Sequence, residues 1–440
     1  MTLTQESQKS PIIYRGPGEI HQTPGASLAF TLYSTGTQRF PGISETLPNA
    51  PGQLVGPEYY YTLRGTDLQG NVWLASRVIP DISCAAETHG EIVSGNLWQI
   101  TSDQRSDFPF GRPRLRAIYV RHPDVPFNRS TRRNIQWAGQ TVGKSLSLDY
   151  VRLQRLNCIF RVATDFDGKA LVASVEALKG PLPTQLVHRI TDGLRFTTSS
   201  LFRERIVVIQ DRGDKRIQIT SDAEQKLEPK LCPPLDPVHA RVASTDFWTM
   251  FSAYMGFYHK CAARNVLSPA LEMHGILQGS CGSVETHALT LAVGVEALVA
   301  QLHPKLGSPN KQEEREMMEL TTYLQEWDGD EGLKERMLGS LQRFRSPSTN
   351  VRLRGLLRKG VIEKVHYDAW QSLRHPAAHG VRKRQEPSQE TLNLIQTVTT
   401  LLYRLIFHTI KYRGTFTDRS TAGWQTATYG DSEKKKEQST

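Results

Sequence analysis

SVETHALTLAVGVEALVAQLHP, residues 283–304, is the stretch on which the reading of the fold turns. Val284, Ala288, Leu291, Val295, Leu298 and Leu302 recur at alternating steps of four and three, which places them on one face of an α-helix. Ser283 offers a side-chain acceptor to the first turn, and Pro304 lacks the amide that a further turn would need. The same periodicity continues downstream. Met317, Leu320, Leu324 and Trp327 form one set, and Leu333, Met337 and Leu341 a second. Val361, Val365, Ala369 and Leu373 step by four. A last set, Leu392, Ile395, Val398, Leu402 and Leu405, opens after Pro387-Ser388, with Gly414 as its stop. Upstream, Phe247, Phe251, Tyr254, Tyr258 and Cys261 give the first helix, capped by Ser244, Thr245 or Asp246. These spacings predict an all-α bundle over residues 240–414.

Before the bundle the period changes from helical to strand-like. Residues 58–63, 71–79, 115–120, 145–151, 158–163, 170–175, 205–210 and 216–220 are short runs rich in Val, Ile, Tyr and Thr. Asp167-Gly168 and Arg212-Gly213-Asp214 mark turns between them. Strands without long intervening helical patterns predict a β-rich, sandwich-like domain over 1–236. The prolines of Leu231–Pro237 break the chain between the two halves. Residues 415–440, ending in a Lys- and Glu-rich run, are too polar to bury a core and are expected as a loose tail. The expected architecture is therefore α+β and multidomain.

Composition narrows the setting. At 440 residues, 38% hydrophobic and 22% charged, the chain has material for two cores. No apolar run reaches the ~18 residues of a membrane-spanning helix. Residues 1–10 are polar and lack a secretory signal, so a soluble cytoplasmic protein is expected. Cys84, Cys158, Cys232, Cys261 and Cys281 are scattered and odd in number, which argues against a disulfide framework or zinc finger. The formal net charge of +10 suits a polyanionic partner, and its distribution sharpens that statement. Between Leu341 and Gln385 eleven Lys and Arg residues face only Glu363 and Asp368. Such a stretch fits either a solvated helix surface or a phosphate backbone.

The groups with chemistry to offer cluster after the 361–373 stripe, in Leu373-Arg374-His375-Pro376-Ala377-Ala378-His379-Gly380. Pro376 is expected to end the preceding helix, leaving Arg374, His375 and His379 at an interhelical junction. A histidine of near-neutral pKa can remove or supply a proton, and a guanidinium can stabilise charge on phosphorane oxygens. Each residue also has a plainer role open to it. Arg374 can complement a helix C-terminus, His379 can hydrogen-bond in a loop, and Glu296 can pair with a nearby arginine. His366, His375 and His379 lack an acidic partner at zincin spacing, so no metal is expected. Walker-type, GxSxG and HExxH motifs are absent.

Arg374, polar His375, four intervening residues and then His379-Gly380, set within a bundle, resemble the Arg-x4-6-His motif of HEPN ribonucleases. Arg15 with His21 and Arg116 with His122 share the loose spacing but sit in the β-type region, where no role is assigned to them. Residues 244–414 carry the resemblance, and the helix containing Glu296 looks like a HEPN helix preceding the motif. A β-rich region ahead of such a bundle is similar to ApeA-type anti-phage defence proteins. The resemblance implies a metal-independent, cofactor-free endoribonuclease that dimerises through the helical domain and leaves a cyclic phosphate end. In it, Arg374 and His379 would be the catalytic pair, and His375 would orient them or touch phosphate. Arg382, Lys383 and Arg384 would grip RNA, transfer RNA among the candidate substrates, and Glu296 would support the site. It also implies an abortive-infection effector whose N-terminal domain senses a viral trigger, with Tyr59, Tyr60, Tyr61, Trp73 and Trp98 as either recognition surface or core. The alternative is a non-catalytic HEPN-like RNA-binding or dimerisation module beside a β ligand-binding domain.

Overall fold

The structure, a computed structural model, describes residues 1–6, 11–23, 27–34, 56–84, 91–105, 111–120, 125–137, 140–165, 170–200, 203–221, 232–242, 244–261, 273, 276, 283–345, 347–378 and 389–430. The chain divides into two compact units. One comprises Met1–His122, Phe127–Val187 and Phe202–Lys226; the other comprises Pro123–Pro126, His188–Leu201 and Leu227–Thr440. The division is thus not a single cut near residue 236, because a helix from within the β-type region joins the second unit. That helix, α1 (Leu186–Thr198), has a legible signal in Leu186, Ile190 and Leu194, each buried and one turn apart.

Among the described residues, twelve antiparallel strands form the main sheet of the first unit. From edge to edge they are Arg129–Trp137, Gln140–Arg155, Cys158–Thr164, Leu171–Ala177, Arg114–Tyr119, Ile206–Asp211, Asp214–Thr220, Gln99–Arg105, Val72–Val78, Tyr61–Thr66, Thr2–Gln5 and Ile13–Arg15. A second sheet runs Gly18–Gln22, Leu28–Ser34, Glu91–Leu97 and Asp81–Cys84. Leu3, Tyr14, Tyr61 and Leu63 of the large sheet share a core with Phe30, Leu32 and Val93 of the small one. Among the described residues the two sheets thus share a core at this end of the large sheet. Strands at the centre of the large sheet alternate: in Arg114–Tyr119, Leu115, Ala117 and Tyr119 are buried, while Arg114 and Arg116 are exposed. This is the period-2 signature of a sheet with one apolar and one solvated face.

The second unit is helical: α2 (Pro237–Val242), α3 (Ser244–Cys261), α4 (Val284–Leu302), α5 (Lys311–Glu326), α6 (Glu331–Arg345), α7 (Thr349–Arg358), α8 (Lys364–Ala378) and α9 (Gln389–Ile410) follow α1. Ser283 caps α4 by accepting from the Thr286 amide, as expected. Helix α9 is the axis of the bundle. Leu401, Leu402, Tyr403, Leu405, Ile406 and Phe407 are fully buried, and α3, α4 and α8 pack around it. It stops at Ile410, where Lys411 takes a left-handed φ of 57° and the Tyr412 amide reaches back to the Phe407 carbonyl, so Gly414 is not the terminator. Helices α5 and α6 are real but peripheral. Leu324 is buried, whereas Leu320, Leu333 and Met337 of the same apolar stripes are exposed.

Residues 415–440 are not simply a loose tail. Gly414–Thr417 and Thr426–Tyr429 form a hairpin that closes one side of the bundle. Phe416 is 2% exposed, and its ring centroid lies 5.6 Å from that of Phe407. The Thr415 hydroxyl donates to Asp246 at 2.6 Å, and the Thr417 amide donates to the Pro234 carbonyl. Arg419, almost fully buried, donates from an Nη to the Pro233 carbonyl at 2.6 Å. The prolines thus leave carbonyls free to hold the hairpin. A few aromatic anchors among polar residues suffice here because the bundle supplies the opposing surface. The run 431–440 lies outside the described residues.

Two predictions follow from this packing. Phe416→Ala costs the helical unit about 3–5 kcal/mol, the usual range for emptying a buried aromatic site. The exposed Thr428→Ala stays within about 0.5 kcal/mol, as read from urea unfolding midpoints. The second concerns pH. His366 is fully buried, and burial followed by the nearby Arg404 charge lowers its pKa to about 4. Burial and then His408 lower His303 to about 4 as well. The unfolded chain binds these protons near pH 6.5, whereas the native state refuses them until about pH 4. Stability contributed above pH 6.5 is therefore lost as pH falls towards 4, by up to about 1.4 kcal/mol per pH unit per histidine. His366→Leu should flatten unfolding free energy against pH by one proton's worth, and an unchanged slope contradicts the assignment.

Candidate active site

Helices α4 and α8 meet along a seam built from two pairs of residues one turn apart. On α8, Trp370 and Arg374 are four residues apart; on α4, Ala292 and Glu296 are likewise. The Trp370 indole is 1% exposed, and its Nε1–H donates to the Ala292 carbonyl at 3.4 Å. One turn further, Arg374 Nε donates to Glu296 Oε1 at 2.6 Å. The guanidinium carbon also lies 5.6 Å from the Trp370 ring centroid. Buried Leu373 anchors the same turn of α8. Beside the seam, Gly294 gives room for Ile276, since a Cβ there would sit 2.3 Å from Ile276 Cδ1.

Magnitudes assign the roles. Arg374 is 49% and Glu296 29% exposed at the side chain, so their ion pair contributes at most about 1 kcal/mol. Burying an indole contributes several times more. Trp370 therefore sets where α8 lies, and the ion pair sets where the guanidinium points. Among the described residues only Nε of Arg374 is engaged, and half of its side chain is exposed.

Of the residues expected in the site, the structure brings together Arg374 and Glu296. Glu296 pairs with an arginine, and that arginine is the one in the motif. His375 follows Arg374 on α8, with its side chain outside the described residues. His379, Arg382, Lys383 and Arg384 also lie outside them. Pro376 does not end the helix, which runs on to Ala378. Proline forfeits one N–H and crowds the carbonyl four residues back, which weakens a helix without having to stop it. Arg374 consequently stands within about one turn of the helix end, where a cation also complements the terminal carbonyls. The stripe assigned to this helix is corrected too: Val365 is exposed, and His366 occupies the buried position beside it.

Much of the basic stretch preceding the site is already engaged. Arg354 donates to the Tyr367 hydroxyl at 3.0 Å, Lys364 pairs with Asp368 at 2.6 Å, and Arg352 reaches the Pro304 carbonyl. Of these, the Arg354–Tyr367 contact joins α7 to α8, and the Lys364–Asp368 pair lies within α8. Trp370, the platform under Arg374, was not singled out in the sequence; its i,i+4 spacing to Arg374 was the available signal. The aromatic cluster of the first unit divides. Tyr61 is core, Trp73 is half-buried with its indole N–H on Asp67, and Trp98 is exposed under the Arg203 guanidinium.

Comparison with family models, curated proteins and solved structures yields no match. The HEPN resemblance accordingly rests on the motif and the helical layout.

The seam yields a stability test. Gly294→Ala should cost about 1–3 kcal/mol by driving a methyl into Ile276, whereas Glu296→Gln should change stability by less than about 1 kcal/mol. Equal effects of the two in urea unfolding would contradict the division between packing and orientation.

Proposed function

We propose that the helical unit is a metal-independent endoribonuclease of the HEPN type in which Arg374 and His379 act on the scissile phosphodiester. The observation that carries this reading is the posture of Arg374. Its Nε is held by Glu296, and its half-exposed side chain has no other hydrogen-bond partner among the described residues, one turn from the end of α8 and five residues before His379. A guanidinium oriented on one edge and open on the other can present two parallel donors to phosphate oxygens. In the cleavage step the 2′-hydroxyl loses its proton and attacks the adjacent phosphorus. The P–O5′ bond breaks, and the 5′ oxygen takes up a proton, leaving a 2′,3′-cyclic phosphate. Imidazole serves one of the two proton transfers, and Arg374 stabilises charge on the non-bridging oxygens. One imidazole and one guanidinium per chain are few for the whole step, which favours a homodimer with two motifs facing one cleft. His375 would orient the pair, and Arg382, Lys383 and Arg384 would hold the RNA backbone. In this reading the β unit senses a trigger of viral origin, and cleavage of host RNA halts growth.

A non-catalytic RNA-binding or dimerisation module is the second reading, and the same ion pair favours it. A Glu–Arg contact between two helices also serves as a plain interhelical staple. Cleavage of RNA in excess EDTA separates the two. The nuclease reading predicts activity that survives chelation, falls about 10²–10³-fold in Arg374→Ala and about 10²–10⁴-fold in His379→Ala. Glu296→Gln should reduce it less, by mispositioning Arg374. Undiminished cleavage in both alanine variants would contradict the assignment, and intact RNA in every sample would favour the module.

A further inference from the structure

The solvated face of the large sheet carries a row of arginines that sequence order conceals. The registers align Arg152 with Arg161, Arg161 with Ser174, and Ser174 with Arg116. These residues belong to neighbouring strands, so the three guanidinium-bearing positions stand in one line across the sheet. Strands lie about 4.8 Å apart, which makes the line from Arg152 to Arg116 about 14 Å long. Arg114 lies two residues from Arg116 on the same face, opposite Glu176 and Gln210 on its neighbours.

Among the described residues the charges in this row are not spent on the fold. Arg116, Arg152 and Arg161 are exposed and make no hydrogen bond or ion pair among the described residues. Glu176 is the carboxylate at hand, and it is already shared by Arg112 at 3.7 Å and Arg114 at 3.9 Å. A groove of about 600 Å³ opens on this face, lined by Arg114, Arg116 and Arg161 with Ser174, Gln210 and the arginine-paired Glu176 beside them. Ile159 and Val208 give it an aliphatic floor, and among the described residues no aromatic ring lines it.

We propose that this face is a docking surface for the phosphate backbone of a double-helical nucleic acid. Three features select that ligand. Donors for a single phosphate converge on one point, whereas these guanidiniums are spread along a line, as successive phosphates are. A groove without aromatic side chains has no platform for unstacked bases, which argues against a single strand. Ser174 and Gln210 supply neutral hydrogen bonds of the kind that position a backbone without reading bases. The surface is therefore sequence-independent, and its existence does not depend on the nuclease reading of the helical unit.

The test uses the full chain and a short fluorescent DNA duplex, which lacks the 2′-hydroxyl and so gives a binding signal whether or not the protein cleaves RNA. Anisotropy titrations over a range of salt compare wild type with the triple variants Arg116→Gln/Arg152→Gln/Arg161→Gln and Arg116→Lys/Arg152→Lys/Arg161→Lys. All three side chains are exposed, and unchanged circular-dichroism melts verify that the variants fold. The glutamine variant should bind about tenfold or more weakly, with its log–log salt slope reduced by about two to three because each lost phosphate contact removes about 0.9. The lysine variant should retain most of the slope. An unaltered affinity and slope in the glutamine variant would overturn the proposal. So would displacement of the duplex by tripolyphosphate or polyglutamate at equal charge concentration, which would mark a small-anion or acidic-protein site instead.

Discussion

Burial of the Trp370 indole against α4 is the constraint on which the geometry of the candidate site depends. An α-helix turns about 100° per residue, so a residue four positions after a buried one lies about 40° from it on the helix surface. With Trp370 fixed inward, Arg374 must emerge at the rim of the same seam, within reach of the residue one turn beyond Ala292 on α4. That residue is Glu296. A rotation of α8 by a single residue would expose the indole and break the Nε–Oε1 contact together. The ion pair is therefore a consequence of core packing, and its small energetic contribution does not diminish its part in aiming the guanidinium.

The second unit separates its core from the candidate site. Its core is concentrated on α9 and the rings around Phe407, including Phe196 of α1, Tyr412, and Phe416 and Tyr429 of the terminal hairpin. Arg374 sits away from these rings, at a rim where substitution leaves the core filled. The first unit makes a different division, between the two faces of a sheet. Alternate residues of strands such as Arg114–Tyr119 and Cys158–Thr164 pack inward, and the intervening positions carry arginines outward.

Helices were the most legible part of the sequence, because a 3.6-residue period and a capping serine are local signals. Val284–Leu302 was readable to its ends for that reason. Periodicity alone does not say which stripe is buried, and this explains Val365, Leu333 and Met337, all apolar and all exposed. The terminal hairpin was missed because its burial depends on surface presented by α9 and on carbonyls freed at Pro233 and Pro234. Composition over 415–440 carries neither fact. Arg374 of the motif and Glu296 were each visible in the sequence, but their contact joins positions 78 apart in the chain. Likewise the alignment of Arg116 with Arg152 and Arg161 exists only in the strand register, and the spacing of Arg116 to His122 gave no hint of it.

Sequencing of RNA ends from cells expressing the protein tests the central claim most directly. If Arg374 stabilises the phosphorane of an internal transesterification, wild-type cells accumulate new 3′ ends bearing a 2′,3′-cyclic phosphate. Cells expressing Arg374→Ala at the same level then lack those ends. An identical set of ends in both would contradict the account, since cleavage would then owe nothing to the guanidinium that the α4–α8 seam holds in place.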